Sequence, residues 1–181
     1  MRLHTTVGPA NTSIAGVAAQ AGVTRLTVYR HFPDLESLFV ACSSHWMALN
    51  PRPDPDAWLA IPDLDLRTRT ALRQLYAWYR KHGGDLFPIY RDMAAMPVSI
   101  QGAIRDRDGK SAAALLGGGA VAGADSRRRR AVAGHVVSFW TWRSLTHDEG
   151  LDDPEAVDLA VRFLADAGIP ARLSRAQGRS R

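Results

Sequence analysis

Three side chains that could contact a nucleic acid stand side by side in this chain: Tyr29, Arg30 and His31, directly ahead of Phe32 and Pro33. An arginine can form two hydrogen bonds to a guanine edge, and hydroxyl groups commonly contact phosphates. Catalysis by His31 would require a partner group, and a purely structural helix has little use for such a polar outer face. The residue types therefore indicate a surface that reads a nucleic acid.

Two short helices joined by a tight turn are predicted to position this cluster. The apolar residues of the first recur at the spacing of one helix face and are Ile14, Val17, Ala18 and Ala21. Thr12 or Ser13 can cap the start of this helix, and Gly22 can end it by adopting the left-handed conformation. Thr24 can cap the second helix, which is expected to run to about Phe32. Two helices joined by a three-residue turn containing glycine form a helix-turn-helix.

The second helix presents a polar face if its apolar residues point to the core. Val28 and Phe32 lie one turn apart and are expected to be buried. Leu26 and Arg30 then point outward, with Arg25 in the exposed first turn, and this set suits base edges in a DNA major groove. The alternative is a helix-turn-helix that never contacts DNA, with Tyr29 as a half-buried core residue. A third helix is predicted to begin after Pro33 and Asp34, with the apolar stripe Leu35, Leu38, Phe39, Cys42 and Trp46.

The string TSIAGVAAQAGVTRLTVYRHFPDLESLF, which begins at Thr12, resembles the DNA-binding domain of the TetR (tetracycline-repressor-like) family of bacterial transcriptional regulators. The resemblance implies an all-α fold: an N-terminal helix-turn-helix DNA-binding domain followed by a helical ligand-binding and dimerisation domain. It implies double-stranded operator DNA as a partner, and these contact residues: Thr12, Ser13, Thr24, Arg25, Leu26, Thr27, Tyr29, Arg30 and His31. Among them Arg25, Leu26 and Arg30 would face bases. The residues implied at phosphates are Thr12 or Ser13, Thr27, Tyr29 and His31.

Two features depart from the family pattern. Leu35 stands where relatives often carry a lysine, and only MRLHTTVG precedes the loop before the first predicted helix. The family's first helix is several turns long, so we expect that Met1 is not the natural start and that about 10 to 20 further residues with helical periodicity precede it.

Four regions are predicted along the chain. They are the DNA-binding domain (1–48), a proline-rich acidic linker (49–63), a helical regulatory and dimerisation domain (64–168) and a basic flexible tail (169–181). The predicted helices of the third region are 66–81, ended by His82, Gly83 and Gly84, then 86–93, 98–105, 126–145 with Ser126 as cap, and a last helix starting at Asp153 and Pro154. Residues 109–125 are predicted as a helix with a flexible break or as a loop.

The last predicted helix has more apolar residues than one face can hold: Val157, Leu159, Ala160, Val161, Phe163 and Leu164. Such a helix is either central or shared with a second subunit, and the family's dimers use their last two long helices as a four-helix bundle. A homodimer through these helices is therefore expected.

A ligand pocket is implied by the family, since ligand sites are mainly apolar with a few polar groups. The candidate lining residues are Trp46, Tyr76, Tyr79, Phe87, Tyr90, His135, Phe139 and Trp140. Aromatic residues at helical spacing are more often plain core, and His135 is more often a hydrogen-bonded core histidine than a ligand contact.

Sites for catalysis, metals and cofactors are not predicted. A phosphate-binding loop would need a further glycine five residues before Gly109, and Ile104 stands there. A metal site would need a second pair of ligands beside Cys42 and His45. No catalytic constellation stands out, so the chain is predicted not to be an enzyme. A lone cysteine and the lack of a long apolar run favour a soluble cytoplasmic protein.

The function predicted from these features is ligand-responsive transcriptional regulation, most simply by a repressor that releases its operator on binding a small apolar or aromatic effector. The net charge of +5 permits binding to nucleic acid without requiring it. The alternative is a helical enzyme or interaction protein with a vestigial helix-turn-helix that no longer binds DNA.

Overall fold

The computed structural model of the protein describes residues 5–118 and 124–167, and these residues form helices without any β-strand. The helices are α1 (Ile14–Ala21), α2 (Arg25–His31), α3 (Leu35–Leu49), α4 (Pro55–Leu59), α5 (Leu64–Arg91), α6 (Val98–Leu115), α7 (Ala124–Val136), α8 (Phe139–Arg143) and α9 (Asp153–Asp166). Short 3-10 turns cover Pro9–Asn11 and Met93–Ala95, and a π-helical turn covers Ser144–Asp148. The predicted basic tail 169–181 and residues 119–123 of the segment 109–125 lie outside the described residues. None of the described helices combines the length and apolar content that crossing a bilayer requires.

The three N-terminal helices begin at the predicted caps. Ser13, and not Thr12, caps α1 by accepting a hydrogen bond from the Gly16 amide at 3.1 Å. Thr24 caps α2 in the same way, and Asp34 caps α3 in a capping box with Ser37. Local side-chain hydrogen bonds therefore define where each of these helices starts.

The long helix α5 forms the centre of the C-terminal region. It runs without interruption from Leu64 to Arg91, so the predicted end at residues 82–84 and the separate helix 86–93 were wrong. Two features of the packing explain this. Gly83 faces the Trp142 ring, where an added Cβ would lie only 3.0 Å from Cη2. Pro88 is buried in the last turn of α5, so the helix continues through it although proline cannot donate a backbone hydrogen bond.

The predicted linker 49–63 contains a helix that the sequence interpretation missed. Asp54 caps α4, and Pro55 occupies its first turn, where a proline fits because no N–H is needed. Trp58 on this helix is only 1% exposed and donates to Gln74 Oε1 on α5 at 2.8 Å. The segment is thus anchored in the core by its tryptophan, which outweighs its polar, proline-rich composition.

Helices α6 and α7 also differ from prediction. Helix α6 extends ten residues beyond the predicted end at 105, to Leu115. Ser126 lies buried inside α7 and does not cap it. The predicted helix 126–145 is broken after Val136, because Ser138 caps a new helix, α8, through the Trp140 amide at 3.2 Å. Because of this break, Phe139 and Trp142 point inward and pack in the aromatic core.

The last helix, α9, begins with a capping box between Asp152 and Glu155, one residue before the predicted start signal. It buries one face against the core through Ala156, Val157, Ala160, Val161 and Leu164. Leu159 and Phe163 remain outside this face, each 49% exposed. The apolar residues of α9 therefore occupy two faces, as their number in the sequence predicted.

Candidate DNA-binding surface and internal cavity

The turn between α1 and α2 sets the direction of the second helix. Gly22 adopts a left-handed φ of +67°, which a residue with a side chain rarely takes. The Val23 amide donates to the Ala18 carbonyl at 3.0 Å and closes the end of α1. A glycine turn of this kind joins the two helices of a helix-turn-helix.

Helix α2 buries one side and exposes the side that the sequence assigned to DNA. Val28 is buried and Phe32 is half-buried. On the opposite side Leu26 is 70% exposed and Tyr29 is 49% exposed. Arg25, Arg30 and His31 are exposed as well. The five side chains form one open surface of arginine, aromatic and aliphatic groups, which is called the recognition face below.

The four serine and threonine residues predicted to contact DNA are not equivalent. Thr12 is buried, and its hydroxyl donates to the Gly8 carbonyl at 2.9 Å. Ser13 and Thr24 are exposed at the N-termini of α1 and α2. The Thr24 hydroxyl lies 3.0 Å from that of Thr27, which is half-buried. Ser13 and Thr24 are therefore more accessible to a phosphate than Thr12.

Helix α3 connects the recognition face to the rest of the molecule. Near its start, Phe39 packs in a small apolar cluster with Met96 and Ile100. At its far end, Trp46 belongs to the large core and donates from Nε1 to Asp85 Oδ2 at 3.2 Å. A shift of α5 or α6 would therefore be transmitted to α3 and to the helices that precede it.

A second connection lies beside the 3-10 turn before α1. Asp92, at the end of α5, accepts a hydrogen bond from the Ala10 amide at 3.2 Å. Arg91 pairs with Asp92 at 2.7 Å and lowers the pKa of its carboxyl group, assisted by the Ala10 amide. Glu36 near the start of α3 also bonds the Ser99 hydroxyl on α6. The DNA-binding helices are thus fixed to the C-terminal helices at several points.

A cavity of about 220 Å³ lies between α3, α5 and α6. Two of the predicted pocket residues, Trp46 and Tyr90, line it. Most of its apolar wall comes from residues that the prediction omitted, namely Phe39, Leu86, Ile89, Met96, Ile100 and Ile104. The signal for the last two was present in the sequence, because Ile100 and Ile104 lie one helical turn apart.

The other six predicted pocket residues lie elsewhere. Tyr76, Tyr79 and Phe139 are fully buried in the core. Phe87 and Trp140 pack edge to face, 5.9 Å between ring centroids, away from the cavity. His135 is exposed on α7 beside Phe163. The aromatic residues at helical spacing are therefore mostly core, the more common outcome for such a pattern.

Polar side chains form a partly buried network behind the cavity. Arg52 is 5% exposed in its side chain and binds Asp108 Oδ1 at 2.5 Å and the Tyr79 hydroxyl at 3.0 Å. Tyr79 donates in turn to the Val137 carbonyl at 2.8 Å, and burial raises its pKa well above the ordinary value. Arg107 on α6 donates to the Tyr90 hydroxyl at 2.9 Å. Of these residues Arg107 and Tyr90 reach the cavity wall.

An exposed arginine-bearing second helix after a glycine turn is the arrangement of a DNA-binding helix-turn-helix, and a helical region that encloses a cavity follows it. Residues 1–42 match the model of the family described as "Bacterial regulatory proteins, tetR family". The N-terminal segment is therefore similar to the DNA-binding domain of this family, which supports a DNA-binding transcriptional regulator. No curated protein and no solved structure matches the chain.

Proposed function

We propose that the protein is a cytoplasmic transcriptional repressor that binds operator DNA as a homodimer and releases it when a small apolar effector occupies the cavity. The observation that carries this proposal is the shared wall: Phe39 and Trp46 on α3 line the cavity, and α3 follows directly on the recognition helix α2. A ligand that separates α3 from α5 and α6 would move the recognition face without touching it.

The required free energy is modest. An effector shifts the equilibrium only by its difference in affinity for the DNA-bound and DNA-free shapes, typically about 1 to 3 kcal/mol. A cavity bounded by apolar side chains on three helices can provide such a difference if the helices separate by a small distance in one of the two shapes. The contacts of Asp92 and Glu36 would then have to adjust with them.

The surface of α9 supports the homodimer. Leu159 and Phe163 are both half-exposed, and the His135 ring on α7 lies edge-on to Phe163 with centroids 6.1 Å apart. A second copy packed on this surface would cover it and place two recognition helices on one DNA. Their half-sites would be separated by about 34 Å or slightly more, one turn of DNA.

The dimer is tested by sedimentation at micromolar concentration. We expect a dimer for the wild type and a monomer for Phe163→Glu, because a charge at this position would be desolvated in the interface. Val98→Glu is the matched control, since Val98 is 79% exposed on α6 and lies away from α9. A stable, folded wild-type monomer would exclude the proposed assembly.

DNA binding is tested by gel shift with DNA that neighbours the gene, followed by a salt titration. Phosphate contacts release counterions, so log K should fall linearly with log salt concentration. A vestigial helix-turn-helix would show neither a specific shift nor such a slope. Thermal-shift screening with small apolar compounds, followed by operator release, then tests the regulation. A compound that stabilises the protein yet leaves its DNA affinity unchanged is not an inducer.

A further inference from the structure

The wall of the cavity contains a positively charged side chain, Arg107, that has no carboxylate partner of its own within the described ranges. Arg107 and Arg52 both approach Asp108, but the two contacts differ. Arg52 Nη1 lies 2.5 Å from Asp108 Oδ1, whereas Arg107 Nε lies 3.6 Å from the same oxygen, beyond hydrogen-bond distance. One carboxylate thus serves two guanidinium groups, and one positive charge beside the cavity is not balanced by this cluster.

The hydrogen bonds of Arg107 likewise lack a negatively charged acceptor. Its Nη2 donates to the neutral Tyr90 hydroxyl at 2.9 Å, and its Nη1 faces the weak acceptor Sδ of Met47 at 3.7 Å. Its Nε is buried and has no hydrogen-bond acceptor among the described residues. Buried donors in proteins are nearly always paired, and guanidinium groups form their strongest bonds with carboxylates. The Arg107 side chain is still 25% exposed and its Nη atoms have no anionic acceptor in the described part of the chain, so it is suited to an anionic group supplied by a ligand.

We infer that the ligand of this cavity is a small apolar carboxylic acid, bound as its carboxylate by Arg107 with its apolar body between α3, α5 and α6. The inference rests on the proposed effector role of the cavity and specifies the chemistry of that effector. The apolar body would contact Phe39, Ile89, Met96, Ile100 and Ile104. The volume of about 220 Å³ is below the roughly 300 to 1,000 Å³ of ordinary ligand pockets, which favours a short aromatic or aliphatic acid over a long-chain lipid.

The carboxylate in the cavity wall, Asp85, favours a cation instead, so Asp85 and Arg107 must be weighed against each other. Asp85 is exposed and already accepts a hydrogen bond from Trp46 Nε1 at 3.2 Å. Its charge is therefore hydrated and partnered, and a bound amine would gain little there. Arg107 is half-buried with an unsatisfied donor, so an anion gains more at its end of the cavity.

Calorimetric titration of the full chain with matched probes tests the inference. The probes are 3-phenylpropionate and hexanoate, their primary amides, and 3-phenylpropylamine. We expect each acid to bind at least tenfold more tightly than its amide. Equal binding of acid and amide, tighter binding of the amine, or no binding of either acid at millimolar concentration would each overturn the inference.

Variants of Arg107 test whether this side chain causes the preference for the acid over the amide. In Arg107→Gln the ratio of acid to amide affinity should fall to about one while amide binding persists, and Arg107→Lys should recover part of the ratio because the charge returns without the planar fork. Arg105→Gln is the matched control on α6, because Arg105 is exposed and its hydrogen bond among the described residues is to Gln101 on the same helix. An unchanged ratio in Arg107→Gln would overturn the assignment. If this variant fails to fold, the comparison of acid with amide on the wild type still decides the class of ligand.

Operator release, measured separately, distinguishes this inference from the proposed function. An acid that binds with the expected preference but does not weaken DNA binding would refute regulation through the cavity and leave the ligand class standing. An amide that releases DNA as effectively as its acid would refute the carboxylate requirement and leave the regulation standing.

Discussion

Helix α2 buries one of its seven residues, Val28, whereas α5 buries thirteen of its 28. Helix α2 is defined by a threonine cap and a preceding glycine turn, and its outer side remains free to contact another molecule. Helix α5 is defined by the residues packed around it, and it continues through Gly83 and Pro88, which would end many helices. A region that presents a surface relies on local signals in the sequence, while a region that forms a core relies on contacts between distant residues.

The largest effect on stability is expected from a substitution that disrupts the core of the C-terminal region at α4. Trp58→Ala should lower the free energy of unfolding by about 3 to 5 kcal/mol, because a fully buried tryptophan leaves a cavity when truncated. The neighbouring Leu59→Ala, at a position 41% exposed, is the control and should cost much less. Urea denaturation measures both. Equal losses would show that α4 acts as the linker its composition suggested.

The recognition face should respond in DNA affinity and not in stability. Arg30→Ala should weaken specific binding by about 1 to 3 kcal/mol, the usual contribution of a bidentate arginine–guanine contact. Tyr29→Phe removes a hydroxyl expected at a phosphate, so specific and nonspecific binding should weaken together. Competition with random DNA separates the two effects. Equal loss for both variants on both DNAs would refute the assignment of base and phosphate roles.

The adjacent glycines of α5 should respond in opposite directions to the same substitution. Gly84→Ala should stabilise the protein by about 0.5 to 1 kcal/mol, because alanine favours a helix and its Cβ meets open space. Gly83→Ala should destabilise it by about 1 to 3 kcal/mol, because the Cβ presses on the buried Trp142 ring. Thermal unfolding of the pair is the measurement. Stabilisation by both would mean that the contact with Trp142 does not require glycine.

The smallest effect concerns pH and His82, whose ring packs against Trp46 and Trp78 at centroid distances of 5.3 and 5.2 Å. Burial lowers its pKa below the ordinary 6.5, Lys81 lowers it further, and Asp85 opposes the change. The unfolded chain therefore takes up this proton at higher pH than the folded chain, so folding stability should decrease as pH falls through about 6.5.

The measurement is the difference in unfolding free energy between pH 7.5 and 5.5. The wild type should lose more stability over this interval than His82→Gln, which has no group to protonate there. His45→Gln, at an exposed position on α3, is the control and should keep the wild-type dependence. The same dependence in wild type and His82→Gln would contradict the role of His82.

The sequence by itself determined the N-terminal helix-turn-helix, together with the all-helical fold class. Ser13, Gly22, Thr24 and Asp34 act on neighbours within a few residues, so their effects can be read from spacing alone. The apolar and polar residues of α2 were correctly divided between core and surface for the same reason. The excess of apolar residues on α9 likewise indicated two apolar faces before the structure showed them.

Only the tertiary structure decided how the C-terminal half is arranged. Trp58 turns a proline-rich segment into part of the core, and the Trp142 ring makes Gly83 a packing position within one continuous helix. The cavity was only partly predicted, because Trp46 and Tyr90 share its wall with α6 residues such as Arg107 that are distant in sequence from α3. Helix propensity and turn signals are weak, about 1 kcal/mol per residue, and burial of one large aromatic side chain exceeds them. Contacts between distant residues therefore override local signals wherever a helix is surrounded on most sides, and leave them intact where one side faces solvent.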